Sequence, residues 1–296
     1  MIDWGQPLPA PAKLNLFLHV LGRRADGYHD LQTVFRLVDL ADHLRFDRRG
    51  DGAIRLARPL TGVPEEDDLT VRAARALQEE TGCRLGATIE VDKAIPMGAG
   101  LGGGSSDAAT TLLALNMLWG LGLDWAALAR LGRALGADVP VFVHGRNAFG
   151  EGVGEILTPI DLPPAWYVIL TPPVAVPTHA IFTDPELTRN TKPTTITAFF
   201  AGQHFGNDLE PVVLRKYPVV GSYMRWLGQY GSARLTGSGS SVFATFSSER
   251  EAQAVVSELP EGMLGCVARG LDRHPMLKLL TNSPNSQHFQ NSRIDE

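Results

Sequence analysis

The first clear pattern of alternating side chains runs from Ala12 to Val20. Leucine or valine occupies every second position from Leu14 onward, and the positions between carry Lys13 and Asn15 at the start of the segment. Alternation with a period of two predicts a β-strand with one aliphatic face. The same spacing places Lys13 and Asn15 side by side on the opposite face.

Helical periodicity governs the next part of the chain. Apolar residues recur at helical spacing from Leu69, and the pair Asp67-Asp68 stands where an N-cap is expected. The segment Ala108–Leu118 is apolar almost all round, so it predicts a helix that is buried on every side. Asp124 then caps a further helix, and Gly136 stands where a C-cap glycine belongs.

The remaining elements complete a mixed pattern. We predict strands over residues 29–46 (broken near Ala41-Asp42), 87–91, 167–171 and 264–268, and two short strands flanking residues 237–239. A helix is expected over residues 219–229, and another begins with Ser248 and Glu251 as its capping box. A turn at residues 25–27 and a polar loop over residues 183–195 connect these elements. Because helices and strands mix without a strict βαβ rhythm, the fold class is α+β in two lobes. Prolines near residue 160 indicate domains over residues 1–160 and 161–280, and the polar tail over residues 281–296 is expected to be disordered.

Composition narrows the classes of function. The 296 residues are 44% hydrophobic and 20% charged, and the net charge of −5 provides no basic surface for nucleic acid or an anionic membrane. No apolar run is long enough to span a membrane, and residues 1–11 lack the pattern of a signal peptide. Cys83 and Cys266 cannot form a disulfide framework, and we expect two buried thiols in a reducing cytoplasm.

The strongest chemical signal is a glycine-dense loop between a predicted strand and the buried helix. Five glycines in seven positions free the backbone N–H groups and allow close approach to a ligand, whereas a simple turn requires one or two glycines. The residues that open the following helix add free N–H groups and a positive dipole end, which suit a phosphate. The candidate phosphate-binding residues are Pro96, Met97, Gly98, Ala99, Gly100, Leu101, Gly102, Gly103, Gly104, Ser105 and Ser106.

Two other types of phosphate loop can be compared with this one. It is not a Walker loop, because no Gly-Lys-Ser/Thr is present. Gly98, Gly100 and Gly103 do satisfy G-x-G-x-x-G, and Asp124 lies at a suitable distance, so a dinucleotide-binding domain is a rival. Residues 93–97 oppose that reading because they separate the strand from the glycines. Asp124 is also better explained as a helix cap.

Further candidates are spread along the chain. A second glycine-serine cluster over residues 235–241 exceeds the needs of a hairpin turn, and this favours a role at the active site with Gly237, Ser238 and Gly239 contacting the substrate. Lys13 requires an anionic partner if its inner strand is buried. Asp138, in a loop just past a helix, is the candidate carboxylate. A lone lysine on a strand is more often part of a solvated face.

Taken together, these segments resemble the motifs of the GHMP small-molecule kinases. The likeness rests on Pro11–Leu16, Asp26–His29, Pro96–Ser106, Gly136–Pro140 and Leu235–Ser241, and it covers the chain from about residue 8 to about residue 275. Each motif is moderately specific, whereas all of them in this order are highly specific. Ala99 departs from the pattern, since a further glycine is common there, and the chain beyond Met276 has no counterpart in it.

The resemblance implies a two-lobed kinase with its active site in the cleft between an N-terminal ATP-binding domain and a C-terminal domain. The loop over residues 96–106 would hold the phosphates of ATP, and Mg²⁺ would spread their charge. Asp138 would be the general base for the substrate hydroxyl, and Lys13 would hold Asp138 and the transferring phosphoryl group. The metal ligands are unknown. The acidic run Glu65–Asp68 is expected to be a solvated helix start rather than a metal site.

The resemblance also implies a substrate site. The turn before His29 is similar to that of family members whose small-molecule substrate bears a cytidine diphosphate. Tyr28 and Phe182 would sandwich the cytosine ring, His29 would read its polar edge, and Asn15 and Thr178 would lie near the substrate. Without the resemblance, the two aromatic residues would be ordinary core or rim residues, and His29 a turn residue.

Several functions remain open at this point. One alternative is another kinase of the superfamily, which would act on mevalonate derivatives, homoserine or a sugar. The turn at Asp26–His29 argues against it, because these substrates carry no base to stack there. A nicotinamide-dependent dehydrogenase and a non-enzymatic nucleotide-binding regulator would also use a glycine-rich loop. In each case a cytoplasmic protein without nucleic-acid or membrane partners is expected, as a monomer or weak homodimer.

Overall fold

The computed structural model describes residues 2–203 and 205–281. Within these ranges, a mixed β-sheet packs against helices, and the predicted α+β class is confirmed. The predicted tail lies outside the described residues apart from Thr281, which ends the last helix instead of beginning a disordered segment.

The described residues form ten strands and ten helices. The strands are β1 Leu8–Arg23, β2 His29–Arg49, β3 Ile54–Leu56, β4 Gly86–Asp92, β5 Ala148–Glu151, β6 Ile156–Pro159, β7 Trp166–Leu170, β8 Arg234–Leu235, β9 Val242–Phe246 and β10 Gly265–Leu271. The helices are α1 Leu69–Thr81, α2 Gly103–Leu118, α3 Trp125–Leu135, α4 Val139–His144, α5 Thr178–Phe182, α6 Ile196–Phe200, α7 Glu210–Lys216, α8 Pro218–Leu227, α9 Glu249–Ser257 and α10 Pro275–Thr281.

Strand β2 is the centre of the sheet because neighbours pair along both of its edges. β1 runs antiparallel to one edge, while β4, β10 and β5 pair with successive segments of the other. The strand order is β3-β4-β2-β10-β7-β9-β8, with β1 and β5 as further neighbours of β2 and β6 beside β5. Among the described strands, β3 and β4 are the parallel pair and the other pairs are antiparallel.

Strand β1 departs from the regular alternation that its sequence suggests. Its register with β2 shifts after Asn15, which is opposite Phe35, so that Leu18 is opposite Thr33. Such an extra residue in one strand is a β-bulge, which bends the strand and redirects its side chains. Both faces of β1 are buried, because one is covered by the apolar cluster around Leu14 and the other by an aromatic cluster.

The predicted break near Ala41-Asp42 is wrong, because β2 continues to Arg49. A bulge occupies this position instead, between Val38 and Ala41 in the register with β1. Asp42 is fully buried, and its Oδ1 accepts hydrogen bonds from the N–H groups of Ala94 and Ile95 at 2.6 and 2.7 Å. The polar residue that suggested a break therefore binds the chain that leads into the glycine loop.

Capping chemistry follows the sequence closely. The side chains of Asp68, Asp124 and Ser248 accept backbone N–H groups at the starts of α1, α3 and α9, as predicted. Glu251 reaches back to the N–H group and hydroxyl of Ser247, one residue before the cap. Gly136 does follow α3, but its φ of 178° is extended, so the C-cap does not depend on glycine there.

Three apolar clusters explain how the glycine loop is held. One packs α1 to α4 against β1, β2 and β4, and it buries the greater part of α2 as predicted. Another lies between β7, β9 and the helices α5, α7, α8 and α9. A third joins them and contains Ile95, just before the glycine loop, Ala99 and Leu101 from the loop itself, and residues of β1, β2, β7, β9 and β10. The loop is thus anchored where the two larger cores meet.

Eight of the short elements were not predicted. Each is three to seven residues long, too short for a periodic pattern to be recognised: β3, β5, β6, α4, α5, α6, α7 and α10.

The domain boundary near residue 160 stays a prediction. Strands β2 and β10, which lie on either side of it along the chain, pair in one sheet. Cys83 and Cys266 are half-buried free thiols rather than fully buried ones. Across the described ranges, no helix has the length and apolar character to cross a bilayer.

Candidate active site

A cavity of about 950 Å³ lies beside the glycine loop and is lined from both halves of the chain. Its volume is at the upper end of the range for small-molecule sites. The structure brings together at this cavity the predicted site residues Lys13, Asn15, Tyr28, His29, Pro96, Met97, Gly98, Ala99, Gly100, Leu101, Gly102, Gly103, Gly104, Ser105, Asp138, Thr178, Phe182, Gly237, Ser238 and Gly239. Ser106 is the predicted site residue that does not line it.

The start of α2 explains the exception. The helix begins at Gly103, earlier than predicted, so Ser106 is already inside the first turn. Its N–H donates to the carbonyl of Gly102 at 2.9 Å, and its side chain is fully buried. The N–H groups of Gly103, Gly104 and Ser105 have no helical partner, as the start of an α-helix requires. These three groups and the helix dipole suit an anion.

Two glycines of the loop are required by space as well as by backbone conformation. Gly100 has a φ of 77°, and a Cβ there would lie 2.2 Å from the carbonyl oxygen of Thr236. Gly102 has a φ of 74°, and its Cβ would lie 3.1 Å from the Lys13 side chain and 3.0 Å from Phe142. Side chains at these positions would push apart the loop and the residues that it packs against.

The second glycine-serine cluster packs directly onto the first. The N–H of Ser241 donates to the carbonyl of Ala99 at 3.1 Å, and the hydroxyl of Thr236 donates to the carbonyl of Gly100 at 3.3 Å. The hydroxyl of Ser238 is 2.8 Å from that of Thr178, the first residue of α5. The cluster therefore links the glycine loop to the other wall of the cavity, which a simple hairpin turn would not do.

Lys13 and Asp138 form an ion pair inside the cavity. The Nζ atom of Lys13 lies 3.2 Å from Oδ2 of Asp138 and donates to Oδ1 of Asn15 at 2.5 Å. The lysine side chain is 3% exposed and the aspartate 32%. An ammonium carries three donors, so one remains for another anion. Asn15 is held in turn by its Nδ2 donating to the hydroxyl of Thr33 at 2.9 Å.

Asp138 owes its free carboxylate to an unusual helix start. It occupies the N-cap position of α4, yet its side chain accepts no capping hydrogen bond. Pro140 lies in the first turn and lacks an N–H group, so the helix places less demand on a cap. The carboxylate is left to pair with Lys13 and to face the cavity. A carboxylate in this position can accept a proton, while the ammonium beside it stabilises a transferring anion.

The aromatic end of the cavity contains Tyr28, His29 and Phe182, the three residues predicted to hold a base. Tyr28 is 63% exposed, whereas His29 is buried. The rings of His29 and Phe182 already contact one another, with centroids 5.2 Å apart and planes tilted by 35°. A planar base entering here would meet the Phe182 ring and the neighbouring His29 imidazole, with the exposed Tyr28 on the solvent side.

One residue of this region was missed by sequence reasoning. The Nε atom of Arg189 donates to Nε2 of His29 at 3.1 Å, and its Nη2 donates to the carbonyls of Phe182 and Asp184 at 2.9 and 2.7 Å. Arg189 lies in the predicted polar loop over residues 183–195. An arginine in such a loop is usually solvated, and no spacing relates it to His29.

A buried ion network was also missed. Lys93 pairs with Asp42 at 2.5 Å and with Asp107 at 2.7 Å, and both carboxylates are almost completely buried. The network joins β2, the chain before the glycine loop and the first turns of α2, so it fixes the entry and exit of the loop. Residues 93–97, which argued against a dinucleotide site, therefore have a structural purpose.

The network changes the titration of its members. Burial and the neighbouring Asp42 carboxylate raise the pKa of Asp107 to about 7, although Lys93 acts in the opposite direction. Burial opposes the charge of Lys93, but the carboxylates of Asp107 and Asp42 more than compensate and raise its pKa. With a pKa of about 7, Asp107 is about half protonated at neutral pH, beside the charged Lys93.

Replacing Asp107 with Asn is expected to remove a pH dependence of stability. Its pKa is raised in the folded state, so its contribution to stability is full below about pH 4 and is lost as the pH rises to about 7. Between pH 5 and pH 8 the wild type should lose about 2–3 kcal/mol that Asp107→Asn does not lose. Thermal unfolding at both pH values measures the difference.

The exposed Asp161 provides the matched control for that experiment. Asp161→Asn should change the Tm by the same small amount at pH 5 and pH 8, since its carboxylate is 97% exposed. An Asp107→Asn variant whose Tm differs from the wild type equally at both pH values would show that Asp107 is ionised in the folded protein throughout this range.

The structure also opposes the dinucleotide-binding alternative. In that fold, the strand before the glycine turn lies among parallel strands. Here β4 pairs antiparallel with β2, and its parallel neighbour is the three-residue β3. Asp124 caps α3, as predicted, and does not end a strand. The described residues contain no group of three or more His, Cys, Asp or Glu side chains suited to a metal, which includes the run at Glu65–Asp68.

Comparisons with known proteins agree with the site. Residues 68–146 match the GHMP kinases N terminal domain, and residues 195–263 match the GHMP kinases C terminal domain. Two curated proteins named 4-diphosphocytidyl-2-C-methyl-D-erythritol kinase are similar over most of their length. The one from Thiobacillus denitrificans is 60% identical over 92% of this chain and 97% of its own. The one from Nitrosospira multiformis is 61% identical over 90% of this chain and 92% of its own.

Solved structures show the same fold. A crystal structure of 4-(cytidine 5'-diphospho)-2C-methyl-D-erythritol kinase matches with a TM-score of 0.77 and 35% identity, over 90% of this chain and 99% of that chain. The homoserine kinase of Cytophaga hutchinsonii matches with a TM-score of 0.67 and 17% identity, over 93% and 96% of the two chains. At that lower identity, the likeness concerns the fold alone.

Proposed function

Since the chain belongs to the GHMP kinase family and, within it, to the 4-diphosphocytidyl-2-C-methyl-D-erythritol kinases, we propose that it transfers the γ-phosphoryl group of ATP to the 2-hydroxyl of that erythritol derivative. The reaction is a step of the non-mevalonate route to isoprenoid precursors. One observation supports this most directly: the ammonium of Lys13 lies 3.2 Å from the carboxylate of Asp138 in the cavity that the glycine loop lines.

The phosphates of ATP bind at the start of α2 in this proposal. The free N–H groups of Gly103, Gly104 and Ser105 donate hydrogen bonds to the anion, and the helix dipole adds a partial positive charge. Lys13 supplies a full positive charge close to this helix start, since a Cβ on Gly102 would lie only 3.1 Å from its side chain. Backbone donors that are fixed before ATP arrives require little reorganisation during transfer.

Asp138 acts as the general base. Its carboxylate takes the proton from the substrate hydroxyl as the oxygen attacks the γ-phosphorus, and the bond from that phosphorus to the leaving oxygen breaks to release ADP. Lys13 keeps Asp138 in place and stabilises the charge on the transferring phosphoryl group with its remaining N–H. Because phosphoryl transfer depends mainly on position and charge, these two side chains and the loop are sufficient protein groups for it.

Mg²⁺ is proposed as the companion of ATP. This cation usually takes one or two carboxylates together with phosphate oxygens and water, so a dedicated protein cage is not required. The run Glu65–Asp68 forms no cage of three ligands and was expected to be only a solvated helix start, but the exposed carboxylate of Asp67 alone lines the cavity next to α1 and would supply the one protein ligand. That helix start lies near the phosphate site, since a Cβ on Gly104 would be 3.5 Å from Leu69. When bound, the metal neutralises part of the phosphate charge.

The cytidine end of the substrate is proposed to bind at the aromatic end of the cavity. Phe182 forms the inner surface against which the base stacks, His29 beside it meets the polar edge of the base, and the exposed Tyr28 closes over the base from outside. Thr178 and the residues around Ser238 then lie between the base and the glycine loop, where the diphosphate and erythritol portions pass. Asn15, beside Lys13, is positioned near the reacting hydroxyl.

The alternative is another small-molecule kinase of the same superfamily. Mevalonate, homoserine and simple sugars carry no base, and they would leave the aromatic end of the cavity without a partner. The experiment that decides between them is release of ADP from ATP and Mg²⁺ measured with each candidate acceptor. Turnover of the cytidine-bearing acceptor at least a hundredfold above the others supports the proposal, and preference for any base-free acceptor rejects it.

Replacing Phe182 with Ala is expected to raise the KM for the cytidine-bearing substrate by roughly ten- to a hundredfold. Stacking of a base on an aromatic side chain contributes about 1–3 kcal/mol, which corresponds to this range. The KM for ATP should change less than twofold, because the phosphate site is a different part of the cavity. Steady-state kinetics with each substrate varied separately gives both values.

Phe200 provides the control for this substitution. It is 50% exposed and lies outside the cavity, so Phe200→Ala should leave both KM values unchanged. An equal rise of both KM values in Phe182→Ala would indicate general loss of structure. If neither changed, Phe182 would be a packing residue of the C-terminal core, against which it partly lies.

The surroundings of the reaction are part of the same proposal. ATP and a cytidine diphosphate ester are both small, anionic, water-soluble molecules, so we place the enzyme in the cytoplasm, without nucleic-acid or membrane partners. The cavity is lined by residues of one chain, so a monomer or weak homodimer can carry out the reaction. The net charge of −5 gives no general attraction to polyanions.

A further inference from the structure

The hydrogen bond between Arg189 and His29 determines which ring nitrogen of the histidine carries its proton. A guanidinium has five N–H donors and no acceptor. Because Nε of Arg189 donates to Nε2 of His29 at 3.1 Å, Nε2 must present its lone pair. A neutral imidazole with an accepting Nε2 carries its hydrogen on Nδ1.

The neutral form of His29 is favoured by its surroundings. Burial lowers the pKa of His29, and the positive charges of Arg189 and Arg23 lower it further. Protonation would also place an N–H on Nε2 against the donor of Arg189. At neutral pH, the histidine is therefore an uncharged side chain whose one N–H is at Nδ1.

Arg189 is itself fixed, so this arrangement is not a chance contact. Its Nη2 donates to the carbonyls of Phe182 and Asp184, and its Nη1 donates to that of Leu187 at 3.2 Å. These bonds hold the guanidinium plane across the segment that follows α5. The same side chain therefore positions the backbone of Phe182 and the imidazole that contacts the Phe182 ring.

Nδ1 of His29 is left for a ligand. It forms no hydrogen bond within the described part of the chain. It also keeps some contact with solvent, whereas Nδ1 of His19 is fully buried and has no partner. His29 lines the cavity. An N–H that is unpaired and keeps some solvent contact can bind an acceptor on the substrate.

We propose that Arg189 is a positioning residue that fixes His29 as a hydrogen-bond donor and thereby selects cytosine over uracil. This inference rests on the proposed function, which brings a cytosine to this part of the cavity. N3 of cytosine is an acceptor and matches the Nδ1–H donor. N3 of uracil carries a hydrogen, so two donors would face one another. A site built to pair with one group discriminates against the analogue that leaves its polar group unpaired.

The test compares the cytidine-bearing substrate with its uridine counterpart. In the wild type, kcat/KM should favour cytidine, and in Arg189→Met this preference should fall roughly ten- to a hundredfold. Met keeps an unbranched apolar stem but removes every donor. The KM for ATP should stay within twofold of wild type. A simple weakening of the loop would lower kcat/KM for both bases alike and leave their ratio unchanged.

A second measurement reads the proton directly in the wild-type protein and does not depend on a folded Arg189 variant. Nitrogen-15 spectra of histidine-labelled wild-type protein, with His29→Asn to assign the signal, report which ring nitrogen is protonated. A proton on Nδ1 of His29 is expected, and a proton on Nε2 overturns the proposal. Arg189→Lys should restore part of the preference for cytidine, since an ammonium can still donate to Nε2.

The failures can be told apart. If the wild-type protein does not phosphorylate the cytidine-bearing substrate, the proposed function is wrong, whatever the spectra show. If it does, but the ratio between cytidine and uridine is the same in wild type and Arg189→Met, the inference about Arg189 is wrong while the function stands. Lys192→Met, at an exposed position outside the cavity lining, should change neither ratio nor spectrum.

Discussion

Replacing Asp138 with Asn is expected to lower kcat by about 10²- to 10⁴-fold while ATP and substrate bind within a few-fold of wild type. Asparagine has nearly the same shape as aspartate, but it cannot take the proton of the attacking hydroxyl. The side chain is not needed as a helix cap, since it accepts no capping hydrogen bond, so the fold should tolerate the change. ADP release measures kcat, and calorimetric titration measures the two affinities.

The outcome separates base catalysis from positioning. A loss of less than tenfold would mean that the site works by holding its reactants together, and Asp138 would not be the base. Asp161→Asn serves as the matched control, because its carboxylate is 97% exposed at the surface and outside the cavity lining. Its kcat should equal that of the wild type. Tm values of both variants test whether folding contributes.

Replacing Lys13 with Met is expected to lower kcat by about 10²- to 10³-fold, the usual effect of removing a donor that stabilises charge in a transition state. Methionine suits the buried position, where the lysine stem lies near Gly102 and the ammonium lies 5.9 Å from the centre of the Phe35 ring. The variant removes the ammonium that binds both Asp138 and Asn15. Unlike Asp138→Asn, it should also weaken binding of ATP, since Lys13 contributes charge to the phosphate site.

The double variant shows whether the two residues act together. Groups that work as a unit give losses that do not multiply, so Lys13→Met with Asp138→Asn should have nearly the kcat of the worse single variant. Fully multiplied losses would contradict the idea that Lys13 orients the base. Lys192→Met controls for removal of a lysine and should leave kcat unchanged, because Lys192 is exposed outside the cavity lining.

Local structure was the most predictable part of this protein. The caps at Asp68, Asp124 and Ser248 were recognised because a side chain that bonds a backbone N–H two or three residues away leaves a local signature. The buried helix α2 was recognised from its composition. The break in β2 was predicted wrongly because Asp42 is unfavourable in a strand by itself, and its partners lie more than fifty positions away.

The candidate site was only partly predictable. Its members were identified through their resemblance to family motifs, and all of them except Ser106 line the cavity. Ser106 does not line the cavity, because the helix begins earlier than the glycine spacing suggests. Arg189 and the Asp42–Lys93–Asp107 network were missed, since no motif includes Arg189 and charged residues in loops and strands are usually solvated.

The sequence by itself determined the α+β class, the capped helices, the glycine loop and the family, because each depends on neighbouring residues or on ordered motifs. Tertiary structure alone decided the distance of 3.2 Å between Lys13 and Asp138, the raised pKa of Asp107 and the protonated nitrogen of His29. These properties depend on burial and on charges brought close from distant parts of the chain. Electrostatic energy varies with separation and with the surrounding dielectric, and neither quantity can be read from positions along a sequence.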